Sequence, residues 1–255
     1  MAMEAEARPI IAALGAVETD CAPPLPAKFF VARVLDCEVV VAINGRDPRH
    51  DVDSIGTEAA ALTTLEVVRR FSPEVLISAG TAGGWQSKDA RIGDVYVSRG
   101  DFVHHDRRIA IPGFDAYGVG SYPSVDTAAL AEALGLKQGI VTTSNSLDEN
   151  DDDRRMIAIN GGDVKEMEAA AVAYVAELAG VPMLAVKAIT DLVDHHTATA
   201  EQFAANLAMA STRLAEELVR VIDLLGSSGG RNDQNLVVPA TRSTSGAVGN
   251  GAPNS

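Results

Sequence analysis

The stretch KEMEAAAVAYVAELAGVPMLAVKAITDLVD, residues 165–194, is the one that decides how this chain folds. Residues 166–178 are rich in alanine and have the composition of a packed helix. Gly180 stands where a helix end wants a left-handed residue, and Pro182 just beyond it prevents continuation. Residues 183–189 follow as a short apolar run, read as a buried strand that ends at Asp191.

Working outward, the same alternation recurs. Upstream, residues 30–43 are rich in valine and read as one or two strands. Residues 57–71 have helical spacing, and residues 74–79 read as a buried strand running into glycine-rich sequence. Residues 93–98, 102–105 and 139–143 read as further strands. Downstream, Thr199-Ala-Glu-Gln202 fits a capping box, and the helix it opens runs to about residue 225. Strands alternating with helices predict an α/β fold: one domain over residues 1–225, with a central, mostly parallel or mixed sheet flanked by helices on both faces. Residues 226–255 are rich in Ser, Gly, Asn, Pro and Thr and are expected to form a disordered tail.

Composition narrows the function. The chain has 255 residues and a formal charge of −14, with no Lys/Arg cluster able to make a basic face, which argues against nucleic acid as a partner. Two cysteines, Cys21 and Cys37, are too few for a disulfide framework. No apolar run is long enough for a membrane span, and Glu4 and Glu6 stand where a signal peptide would be basic. These features predict a cytoplasmic protein that handles a small ligand.

In open α/β sheets ligands gather beyond the C-terminal ends of strands. Three such places stand out: residues 78–84, 142–148 and 188–194. The glycines in Ser78-Ala-Gly-Thr-Ala-Gly-Gly84 let backbone approach a ligand, although a tight turn uses the same residues. In Lys165-Glu-Met-Glu168 two acids open a helix; they either complement its dipole or turn a carboxylate toward a vicinal diol. Asp191 is either a turn residue or a half-buried acid whose raised pKa lets it hold a proton for a leaving group. Glu4 and Glu6, read alone, are solvated acids. His104, His105 and Asp106 lack the further ligands a metal centre needs, and His195 and His196 read as loop residues.

In order and spacing, Ala2-Met-Glu-Ala-Glu6, residues 78–84, Glu166-Met-Glu-Ala-Ala-Ala171 and Ile189-Thr-Asp-Leu-Val-Asp194 resemble the nucleoside phosphorylase superfamily. The likeness is greatest to its methylthioadenosine/S-adenosylhomocysteine nucleosidase branch, and residues 105–120 look like the plant form. The resemblance implies a fold of that superfamily, hydrolysis of a purine–ribose bond without cofactor or metal, and a homodimer whose partner subunit helps close the 5′-thio pocket. By the same similarity, Asp191 would protonate N7 of adenine and Glu6 would activate water. Glu168 would hold the ribose hydroxyls, with Met167 on the sugar. Leu147 and Asp148 would frame the adenine, and Thr81, Ala82 and Gly83 would line the site.

Phosphorylase relatives place an arginine where Ser78 stands, which favours water over phosphate as nucleophile here. Arg46, Arg107 and Arg108 keep phosphorolysis open, and a catalytically weak, nucleoside-binding relative is a third reading. Two departures are visible. The family carries a strand just before the segment at which this sequence starts, which predicts an exposed sheet edge and a loosely held Glu6. Ser144 and Asn145 replace the usual Gly and Asp, predicting a strained turn at Ser144. The charged run 149–155 reads as a solvated loop.

Overall fold

The apolar run at residue 183 sits at the centre of the molecule, as seen in a computed structural model that describes residues 1–19 and 22–228. The chain opens with α1 (Glu4–Leu14), closed by Gly15 in a left-handed conformation. An antiparallel sheet of β1 (Val17–Glu18), β2 (Lys28–Val34) and β3 (Cys37–Ile43) follows. A short pair, β4 (Arg46–Asp47) and β5 (Val52–Asp53), leads into α2 (Thr57–Phe71). The remaining strands are β6 (Leu76–Gly84), β7 (Val95–Ser98), β8 (Asp101–His104), β9 (Tyr122–Pro123), β10 (Lys137–Gly139), β11 (Val141–Thr143), β12 (Val164–Glu166) and β13 (Met183–Leu192). Between and after them lie α3 (Asp115–Val119), α4 (Ala128–Leu134), α5 (Asp151–Asn160), α6 (Ala169–Ala179) and α7 (Thr199–Ser228).

These eight strands form one mixed sheet in the order β10-β7-β13-β6-β12-β11-β8-β9, with helices on both sides. β13 is parallel to β6 and antiparallel to β7. It is buried on both faces, which explains its almost unbroken apolar sequence. Leu184, Val186 and Ala188 pack in a cluster with Ile10 of α1 and Leu214 of α7. Met183, Ala185 and Ile189 pack on the other face with Ala169 and Ala173 of α6 and with Phe29. A fully buried Ile or Leu in such a layer contributes roughly 1.5–3 kcal/mol. Among the described residues no helix is long and apolar enough to cross a membrane.

Several sequence expectations need correction. Residues 78–84 are not a turn: they belong to β6, flat against β13 along its length. Glycines are used there because neighbouring side chains occupy the space of a Cβ, not because the chain reverses. Lys165 and Glu166 lie in β12 rather than in the helix, which begins at Ala169. The Glu166 carboxylate instead caps α6 from outside, accepting from the backbone N–H of Glu168 and Ala169. Residues 139–143 divide between β10, paired with β7, and β11, paired with β8 and β12. Helix α7 continues three residues past 225; the rest of the expected tail, and Cys21, lie outside the described residues.

Candidate active site

Strand β6 organises the acids. Glu6, on the first turn of α1, is buried, and its Oε1 accepts from Thr81 N at 2.7 Å and Thr81 Oγ1 at 2.6 Å. Its Oε2 accepts from Met3 N at 3.1 Å. Met1 in turn bridges β3, donating to Ala42 O and accepting from Asn44 N. The expected loose Glu6 is therefore wrong: three donors and a pinned start of the helix hold it.

Asp191, on β13, stands opposite a β6 residue two positions past Thr81. It is the register partner of Gly83, and its Oδ2 sits 2.6 Å from where a Cβ on Gly83 would stand. Along a strand, two residues span about 7 Å, which is the separation of the two β6 positions, Thr81 and Gly83, that the acids meet. Asp191 Oδ1 accepts from the Thr190 hydroxyl at 2.8 Å, while Oδ2 is buried with no hydrogen-bond partner. Burial pushes the Asp191 carboxyl above its ordinary range, against the pull of Thr190 and Lys165. An acid whose pKa is raised by burial and which has a buried, unpartnered oxygen is arranged to act on something that enters.

Beside Glu6 is a cation that the sequence reading missed. Lys187 on β13 is 2% exposed and donates to Glu166 Oε2 at 2.9 Å and to Ser78 Oγ at 3.2 Å. The signal was present: a lysine inside an apolar strand must be paired to stay buried. Burial opposes the ammonium, but Glu166 and Glu168 raise its pKa above the ordinary value. Burial likewise pushes Glu166 up, but Lys187 and the Thr143 hydroxyl outweigh it and hold that carboxyl low. The pair is ionised.

Glu168, half-buried at the start of α6, accepts from Gly56 N at 2.8 Å. Burial, then Glu166, push its pKa up to about 7, against Lys187 and the Gly56 N–H. The next residue, Thr57, is held by Asn145, whose Oδ1 accepts from Thr57 N and whose Nδ2 donates to Thr57 Oγ1. Ser144 is buried and does not adopt a left-handed backbone, so the expected strain is absent.

Thr81, Ala82 and Gly83 are buried in β6, and Met167 is half-buried between β12 and α6. Leu147 and Asp148 stand exposed on the loop after β11. The run 149–155 is not a solvated loop. Asn150 and Asp153 form a capping box that opens α5; Glu149 pairs with buried Lys165, and Asp153 with Arg108.

A cavity of about 450 Å³ reaches Glu6, Glu168, Lys187 and Ser78 from the side of β3, α2 and α7. Asp191 is not in its wall. The cavity follows the edge of β6 away from β13, where among the described residues no strand pairs with Leu76–Ala82. Arg46, Arg107 and Arg108 do not reach it: Arg46 pairs with Asp51, Arg107 lies over the Tyr117 ring, and Arg108 is committed to Asp153. Among the described residues no group of His, Cys, Asp or Glu is arranged to hold a metal.

Residues 1–223 match the family model described as "Phosphorylase superfamily", and the chain belongs to that family. Within it, the chain is 41% identical over 239 residues to the 5'-methylthioadenosine nucleosidase of Arabidopsis thaliana, covering 92% of this chain and 88% of the relative. It is 39% identical to a 5'-methylthioadenosine/S-adenosylhomocysteine nucleosidase of the same plant, covering 88% of this chain and 89% of the relative. The apo structure of Arabidopsis thaliana 5'-methylthioadenosine nucleosidase superposes with a TM-score of 0.87 at 40% identity, covering 91% of this chain and 94% of that one.

Proposed function

We propose that this chain is an N-glycosyl hydrolase that splits 5′-methylthioadenosine, and S-adenosylhomocysteine where the 5′ pocket admits it, into adenine and the 5-thio-substituted ribose. The observation that carries the reading is the placement of Glu6 at Thr81 and Asp191 at Gly83 on one strand, with Glu168 and Lys187 beside Glu6. Asp191 gives its proton to N7 of adenine as the bond between N9 and C1′ breaks and its electrons pass to the purine. Glu6 takes a proton from the water whose oxygen bonds to C1′. Ionised Glu168 accepts from the ribose 2′ and 3′ hydroxyls, and Met167 packs on the sugar. Thr81, Ala82 and Gly83 form the floor, and Leu147 and Asp148 frame the base. The ribosyl cation that develops at C1′ is stabilised by the carboxylates around it.

Water rather than phosphate is taken as the nucleophile because the buried lysine beside Glu6 is neutralised. Lys187 is bonded to Glu166 and the Met1 ammonium to Ala42 O, so among the described residues both cations of the cavity wall are already engaged. Adenine release from methylthioadenosine, followed by absorbance with and without phosphate, tests this. Equal rates are expected; strict dependence on phosphate would overturn the reading.

We assign the chain to the cytoplasm and to methionine and S-adenosylmethionine salvage on the resemblance. We also propose a homodimer. Ile111, Phe114 and Tyr117 around α3, and Tyr174 and Leu178 on α6, are exposed large apolar side chains that a second copy would cover.

A further inference from the structure

The charged pair Lys165–Glu149 has no part in the mechanism above, yet it lies beside the acid. In the antiparallel pairing of β12 with β6, Lys165 is opposite Gly83, so the two residues direct their side chains to the same face. Gly83 has no side chain, and Asp191 Oδ2 occupies that space. The Lys165 stem therefore runs next to the Asp191 carboxyl, across the gap the glycine leaves. Its ammonium is bonded to Glu149, with both side chains nearly buried, at 4% and 9% exposure. Glu149 directly follows Leu147 and Asp148, so the bond also ties the exposed loop after β11 to the sheet.

We propose that Lys165 and Glu149 are positioning residues for Asp191: as a matched pair they fix the loop against β12 and hold the acid's proton affinity between the extremes either charge alone would impose. The inference rests on the reading of Asp191 as the general acid. The groups around that carboxyl are few. On β13 the Thr190 hydroxyl donates to Oδ1, and on β6 it meets the bare Gly83. From α7, the neutral amides of Gln202 and Asn206 bond the backbone of Leu192 and Thr190. Asp194 is bound by the backbone N–H groups of Gln86 and Ser87. Lys165 and Glu149 bring opposite charges: the first favours the Asp191 carboxylate and the second its protonated form.

The test is the alkaline limb of kcat/KM for methylthioadenosine, where the free enzyme's acid loses its proton. Glu149→Gln leaves the ammonium unmatched and should move the limb to lower pH by about one unit. Lys165→Met leaves the carboxylate only its more exposed partner Arg154 and should move the limb to higher pH, and the double variant should return it toward wild type. A purely structural pair would lower the melting temperature without opposite shifts. Should Lys165→Met fail to fold, Glu149→Gln decides alone by the sign of its shift, with Lys165→Arg expected to keep the wild-type limb. Limbs that stay put or move in the same direction, while Asp191→Asn abolishes turnover, would overturn this inference and leave the general acid standing. An active Asp191→Asn enzyme would overturn both.

Discussion

Asp191 and Glu168 are carboxyls shifted in the same direction for different ends. As the proposed general acid, Asp191 must be protonated to act, so activity is expected to fall as pH rises through its raised pKa. In its proposed ribose-binding role Glu168 must be ionised to accept from two hydroxyls, and its pKa, raised to about 7, predicts that kcat/KM falls as pH drops below neutrality. In Glu168→Gln that acid limb should vanish, with activity roughly 10²-fold lower; a limb that persists assigns it to another group. Glu6 shows what sequence could and could not supply. Its place in the motif was legible, but two of its three hydrogen bonds depend on Thr81, 75 residues away, so its anchoring was misjudged.

Strand β6 is the element on which the candidate site is assembled, and only its first half, residues 74–79, was legible as a strand in the sequence. Its glycines read as a turn because local propensity counts glycine against a strand. In the fold they are spaces: Gly83 is filled by Asp191 and Val193, and Gly80 lies against Glu6. Gly83→Ala should therefore push Asp191 aside, reducing kcat by about 10² while costing only about 1–3 kcal/mol of stability. Activity and unfolding curves measured together check this, and unchanged turnover would show that Asp191 has room to spare. Helix α2 was legible to the residue, since its spacing and ends are local. The ion pair of β13 and β12 was not, because it forms between Lys187 and Glu166 only when β6 lies between their strands. Lys187→Met leaves Glu166 buried and unpaired. It should cost about 3–5 kcal/mol, read as a fall of about 10 °C in melting temperature; a variant as stable as wild type would mean the pair contributes nothing net.

The fold places a mixed sheet between two apolar layers and sets the buried charges of Glu6, Glu166, Lys187 and Asp191 along β6 and its neighbours. Alternation along the chain made the α/β architecture legible, but strand order was not, since β13 pairs with β6 across roughly a hundred intervening residues. The exposed apolar residues around α3 and α6 belong to the same level: sedimentation should give twice the mass of one chain, and a monomer at micromolar concentration would refute the proposed dimer. The most direct measurement is single-turnover release of adenine from methylthioadenosine, without phosphate, by wild type, Asp191→Asn and Glu6→Gln. Proton donation by Asp191 and water activation by Glu6 predict that each variant is slowed by at least about 10² with its fold intact. Adenine released by either variant within a few-fold of the wild-type rate would contradict the mechanism.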